Sequence, residues 1–173
     1  MHQPPRKGMF RECWAARPGN VYVSCDWSAA EMVALAQILV IMFSKSNMAD
    51  SINAGQDLHI RLAVHLWNSQ HPEDPVDYDE LKRRVDAGDK AAKEMRQFAK
   101  IANFGLPGGM GVRGLVRFAR KAYGTTIDDV EAAALRRDWL QQWPEMLEYF
   151  AHERAIVGQA NAGTVVQLGS GRV

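Results

Sequence analysis

Between residues 105 and 111 the chain reads GLPGGMG, four glycines and a proline in seven positions. No helix continues through such a stretch, because proline lacks a backbone donor and glycine loses the most conformational freedom on ordering. The segment before it must therefore end there. That segment, residues 90–104, has the helical period. Met95, Phe98, Ala99 and Ala102 recur at i, i+3, i+4 and i+7 and predict a core-facing stripe. Lys93, Arg96 and Lys100 predict a second, cationic face.

Arg96, Lys100 and Phe104 stand four residues apart. A turn takes ~3.6 residues, so they drift by about 40° per step and climb one side of the helix over ~12 Å. An arginine fork and a lysine point charge suit a row of phosphate oxygens. A phenylalanine at the end of that row suits stacking on a base or sugar. On this pattern alone, an amphipathic surface helix with Phe104 closing the core explains the same residues.

The rest of the chain reads as a mixed α/β sequence that is mostly helical. Residues 21–26, VYVSCD, alternate apolar and polar and predict a half-buried strand with Asp26 at its end. Ser28 and Glu31 have capping-box spacing before a long apolar helix. Asp57 predicts the cap of a helix over 58–67, and residues 69–79 a polar loop with two prolines. Further helices are predicted over 78–85, 112–123, from the Thr126-Ile127-Asp128-Asp129 cap to before Pro144, and over 145–159. Residues 164–168 alternate like a short strand.

Net charge is only +1, but residues 82–121 carry eleven Lys/Arg against three Asp/Glu. A basic block inside a nearly neutral chain attracts polyanions. The longest apolar run, residues 32–43, is interrupted by Gln37 and falls short of the ~20 residues that cross a bilayer. The N-terminus lacks the apolar core of a signal peptide, and Cys13 and Cys25 lack a metal-binding spacing. These features predict a cytoplasmic protein with reduced thiols and no membrane partner.

Five ordered segments then carry a resemblance. RQFAKIANFG (96–105) resembles the fingers-helix motif of the family A DNA polymerases, the DNA polymerase I type. VSCDWSAAEMVALA (23–36) resembles their first palm motif, and QDLHIRLA (56–63) the Asp-x-His segment between the two. QPPRKGMFRECW (3–14) resembles the lead-in of phage-like members, and DWLQQWPEMLEYF (138–150) the stretch after the fingers. The resemblance implies a partial palm over residues 1–44 and helical fingers over 45–125. Residues 126–173 would be helices returning to the palm and the start of a strand.

What the resemblance implies for function is template-directed nucleotidyl transfer, in DNA replication or repair, in a bacterial or phage-infected cell. Asp26 and the Trp27 carbonyl would hold magnesium in a two-metal site, since such ions take hard oxygen ligands. Glu31 would pack on the sugar and exclude a ribose hydroxyl. His59, Arg96 and Lys100 would grip the triphosphate of a deoxynucleotide, with Lys100 also a general acid. Phe104 would lie beneath the nucleotide, and Arg11 would meet primer–template DNA. Each residue has a plainer explanation: Asp26 and Glu31 as helix caps, His59 as a cap or core residue.

The sequence departs from the family at Gly108, where tyrosine is usual, at Ala29 (glutamine) and at Val33 (arginine). The family's second palm aspartate, in a His-Asp-Glu motif, has no counterpart in these residues. The expectation is a polymerase segment incomplete alone, acting with a second polypeptide. The alternative is a non-catalytic remnant that binds nucleotide or DNA.

Overall fold

Short polar side chains decide where most of the helices begin. The computed structural model describes residues 13, 15–23, 25 and 29–158. The helices are α1 (Ala30–Phe43), α2 (Asn47–Asn53), α3 (Leu58–Gln70), α4 (Tyr78–Asp86) and α5 (Lys90–Gly105). They continue as α6 (Val112–Phe118), which runs into a π-helical turn Ala119–Tyr123, then α7 (Asp129–Gln142) and α8 (Glu145–Val157). Ser46, Asp57, Asp77, Asp89 and Asp128 each accept a backbone N–H of the first turn that follows, so orphan donors are satisfied at five starts. At α7 the box closes, because the Glu131 carboxylate accepts the Asp128 N–H at 2.9 Å.

Two compact units divide the chain, one up to Ala30 and one from Glu31 onward. In the first, a turn closes by Asn20 N–H donating to the Arg17 carbonyl at 2.9 Å, and the Tyr22 hydroxyl donates to the Ala15 carbonyl. The strand predicted over 21–26 does not form in the described residues 21–23 and 25. Val21 and Val23 are 82% and 80% exposed, not half-buried. Alternation marks an extended segment, but a strand also needs a neighbour for its N–H and C=O groups. No described residue supplies one. Residues 24, 26 and 164–168 lie outside the described set. Among the described residues the fold is therefore helical throughout, and the mixed α/β expectation is corrected to its mostly-α part.

The second unit is built around α3 and α5, which pack along one another, with α7 laid against both. Leu62, Leu66, Ile101, Leu106, Leu115, Leu135 and Trp139 fill the space between them and are essentially solvent-free. The buried residues of α5 are Ala92, Ala99, Ile101, Ala102, Asn103 and Gly105, among them Ala99 and Ala102 of the predicted stripe. Met95 and Phe98 are only partly buried. They line an open groove of about 540 Å³ with Trp67 and Thr125.

Several long-range contacts set the element positions. Asn68 clamps the loop before α4, donating to the Val76 carbonyl at 3.0 Å and accepting the Val76 N–H at 2.8 Å. The buried Glu145 carboxylate accepts Ser46 Oγ–H at 3.0 Å and Met48 N–H at 3.1 Å, tying the start of α8 to the start of α2. Gly105 lets α6 approach closely: a Cβ there would lie 3.0 Å from Leu115 Cδ1 and 3.1 Å from Phe118 Cδ1. The π-helical turn ends at Gly124, whose φ of +68° is the left-handed region that favours glycine.

Candidate functional site

Four of the residues singled out in the sequence meet where the start of α3 lies beside the second half of α5. Asp57 caps α3 with one carboxylate oxygen, accepting His59 N–H at 2.7 Å and Ile60 N–H at 3.3 Å. Its other oxygen accepts from Arg96 Nη2 at 2.6 Å, across 39 residues of sequence. Its own N–H donates to the Tyr78 hydroxyl at 2.7 Å. Burial works to raise the Asp57 pKa, but the Arg96 guanidinium and the His59 N–H outweigh it and hold the carboxyl below its ordinary range. Asp57 thus orients Arg96 through one nitrogen and leaves its other donors uncommitted to that carboxylate. The pair is about one-third exposed, so it holds geometry more than it adds stability.

Asn103 fixes the chemistry of His59. Its Oδ1 accepts two indole N–H groups, Trp139 at 3.0 Å and Trp143 at 3.3 Å. Indole nitrogen can only donate, so the amide has one possible orientation. Nδ2 therefore faces the Leu58 carbonyl at 3.2 Å and His59 Nδ1 at 3.0 Å. Since Nδ2 donates, His59 Nδ1 must accept, and the ring proton sits on Nε2. Burial lowers the imidazole pKa from 6.5 to about 4; Asp57 opposes this, while Arg96 and Lys100 add to it. Near neutrality His59 is an uncharged donor through Nε2.

The rings and cations converge in the same place. The His59 and Phe104 ring centroids are 5.3 Å apart, tilted by 43°. Lys100 Nζ stands 5.8 Å from the centre of the Phe104 ring. His59 is buried, and Arg96, Lys100 and Phe104 are half-buried. The result is a face with two cations, one neutral N–H donor and an aromatic ring, suited to an anionic group attached to a flat or apolar one.

Glu31 lies in the first turn of α1 and is exposed. Ser28, its expected capping partner, and Arg11, Asp26 and Trp27 lie outside the described residues. No group of three or more His, Cys, Asp and Glu among the described residues is placed to hold a metal ion. The nearby carboxylate, Asp57, is engaged by Arg96 and the α3 backbone. The described residues thus do not by themselves form a magnesium site. No helix among them is long and apolar enough to cross a membrane.

Sequence reasoning missed three parts of this site: the Asp57–Arg96 pair, Asn103, and the two indoles that orient it. The available signal was Asn103 on the same face as Ala99, in a row otherwise small and apolar. Trp139 and Trp143, four apart, were the matching donors.

A DNA polymerase I from Aquifex aeolicus (strain VF5) is 28% identical to this chain over 148 residues, 86% of this chain. The chain spans about a fifth of that polymerase's length, 21%. No family model and no solved structure matches. The aligned similarity is to a DNA polymerase and extends over most of the chain.

Proposed function

We propose that this chain is a segment of a family A DNA polymerase whose α3–α5 face holds the incoming deoxynucleoside triphosphate. The observation that carries the reading is the convergence of His59, Arg96, Lys100 and Phe104 on one face, from two helices 37 residues apart between His59 and Arg96. Similarity to a DNA polymerase I supports it. In this reading residues 1–44 belong to the palm and 45–125 to the fingers.

Arg96, steadied by Asp57, and Lys100 bind the triphosphate oxygens, with His59 adding a neutral Nε2–H bond. Phe104 lies against the base or sugar, and Glu31 excludes a ribose hydroxyl. The primer 3′-hydroxyl gives its proton to water as its oxygen bonds to the α-phosphorus, the bond from that phosphorus to the α–β bridging oxygen breaks, and Lys100 gives the departing pyrophosphate a proton. Asp26 and the Trp27 carbonyl would hold magnesium, which supplies charge neutralisation when bound. Arg11 contacts primer–template DNA. The exposed Val33, Val40 and Ile41 of α1 support further polymerase structure covering that helix, carried by the same polypeptide or a second one.

The test is magnesium-dependent primer extension beside Asp26→Ala and Lys100→Ala. Extension lost in both variants supports the full reading. Extension that survives Lys100→Ala sets it aside. No extension, with salt-sensitive primer–template binding retained, favours a nucleotide- and DNA-binding segment whose chemistry needs a second polypeptide.

A further inference from the structure

A second concave surface opens at the other end of α3 from His59. It is the groove of about 540 Å³ lined by Trp67, Met95, Phe98 and Thr125. Trp67 is buried and forms the floor, with Met95 and Phe98 half-buried beside it. Trp67 lies ~12 Å along α3 from His59, at ~1.5 Å per residue. At about 100° per residue, Glu94, Met95 and Phe98 leave α5 on the side away from Arg96 and Lys100. The groove is thus separate from the candidate nucleotide site.

Its charge runs against that of its surroundings. Residues 82–121 carry eleven Lys/Arg against three Asp/Glu, yet no lysine or arginine lines the groove. Two exposed carboxylates do, Glu94 and Glu131. One Glu131 oxygen accepts the Asp128 N–H, which leaves the other. Glu94 stands 3.8 Å from Lys90, a loose pair whose cation is 91% exposed. Arg84, which lies over the Trp67 ring at 5.4 Å, is held by Glu80. His71, also at the rim, packs on the Trp67 ring with centroids 4.7 Å apart and lies 3.6 Å from the Glu73 carboxylate.

We propose that this groove binds a segment of a partner polypeptide in which basic residues flank an apolar one. An apolar floor with carboxylates at its rim selects an occupant that is both apolar and cationic. Nucleic acid and anionic lipid are disfavoured, because the rim repels phosphate. An enclosed pocket buries about 70–90% of a small ligand, whereas this groove is open and leaves such a ligand largely in water. In an extended segment successive side chains point to opposite sides, so one apolar side chain enters while its long basic neighbours reach back to the rim. Methionine adapts to the shape of what enters, and an arginine fork suits a carboxylate.

The experiment is an NMR titration of the nitrogen-labelled full chain with the peptide acetyl-Gly-Ser-Arg-Leu-Arg-Ser-Gly. The reporter is the Trp67 indole N–H, assigned with Trp67→Phe. The expected result is a shift of that resonance and of the Glu94 and Phe98 amides, while the Trp139 and Trp143 indoles stay in place. In E94Q/E131Q the peptide should bind roughly three- to thirtyfold more weakly, as two exposed ion pairs are lost. Glutamine still serves in a capping box, so melting of the variant should be unchanged. Deoxynucleotide binding should be unchanged as well, so failure of this inference and failure of the α3–α5 reading are distinguishable. Absence of binding, equal affinity in E94Q/E131Q, equal affinity of a peptide with serine in place of leucine, or shifts that spare Trp67 would each overturn the proposal. Tighter binding of benzyltrimethylammonium would assign the groove to a small cation instead. A concentration-dependent dimer that is lost in E94Q/E131Q would assign it to a second copy of this chain. Either result also overturns the proposal.

Discussion

Asn103→Leu replaces a buried amide with an apolar side chain of similar size and strands the groups around it. The Trp139 and Trp143 N–H groups, both on solvent-free side chains, lose their acceptor. His59 Nδ1 loses its donor, and the Leu58 carbonyl loses one of its bonds. Each buried orphan costs ~1–3 kcal/mol, the longer bonds at the low end, and the added apolar contact returns ~1 kcal/mol. The expected net loss is about 3 kcal/mol, large against the ~5–15 kcal/mol of an ordinary domain. Urea unfolding followed by tryptophan fluorescence measures it. A loss under ~1 kcal/mol would refute the assignment of Asn103 as the acceptor of both indoles. Asn103→Asp separates the two sides of the network: it keeps an acceptor for the indoles and replaces the donor facing His59 with a carboxylate oxygen. The His59 pKa should then rise from about 4, read by NMR titration.

Asp57→Asn keeps a capping oxygen but removes the charge facing Arg96. Stability should fall by ~1 kcal/mol or less, with Asp57→Ala costing ~1 kcal/mol more through loss of the cap. Asp57→Asn also removes the carboxylate that steadies Arg96, so deoxynucleotide affinity should fall, as measured by titration calorimetry. His59 gives a pH dependence of defined sign. Its folded pKa lies below the unfolded value of 6.5, so between pH 6.5 and about 4 the unfolded chain binds more protons and stability falls with acidification. The full contribution is at most ~3 kcal/mol, and the slope in that window should flatten in His59→Gln. Asp57, whose pKa is lowered, adds stability that is lost only at more acidic pH, as the solution falls through its folded pKa.

Helix starts were legible in the sequence where a single aspartate both breaks and caps. Asp57 and Asp128 stand where they were expected to, and α5 runs almost over its predicted span. The strand over 21–26 failed because alternation reports a two-residue period and says nothing about a pairing neighbour. The predicted stripe of α5 is buried at Ala99 and Ala102 and partly buried at Met95 and Phe98, but it left out Asn103, which is buried too. In the fold its amide is satisfied by Trp139, 36 residues on. Asp57 was legible as a cap, but its pairing with Arg96 is a long-range event with no local trace. The four-residue spacing, by contrast, did place Lys100 beside Phe104, whose ring centre lies 5.8 Å from Lys100 Nζ.

The most direct test of the account is deoxynucleoside triphosphate binding by the purified chain, measured with a fluorescent analogue in wild type, Arg96→Ala, Lys100→Ala and His59→Gln. Charge-assisted bonds contribute ~1.5–3 kcal/mol, so loss of either cation should weaken binding roughly tenfold or more. Loss of the neutral His59 donor should have a smaller effect, and monophosphate should bind much more weakly than triphosphate. Equal affinity in all four proteins, or no discrimination between mono- and triphosphate, would contradict the assignment of the α3–α5 face as a triphosphate site.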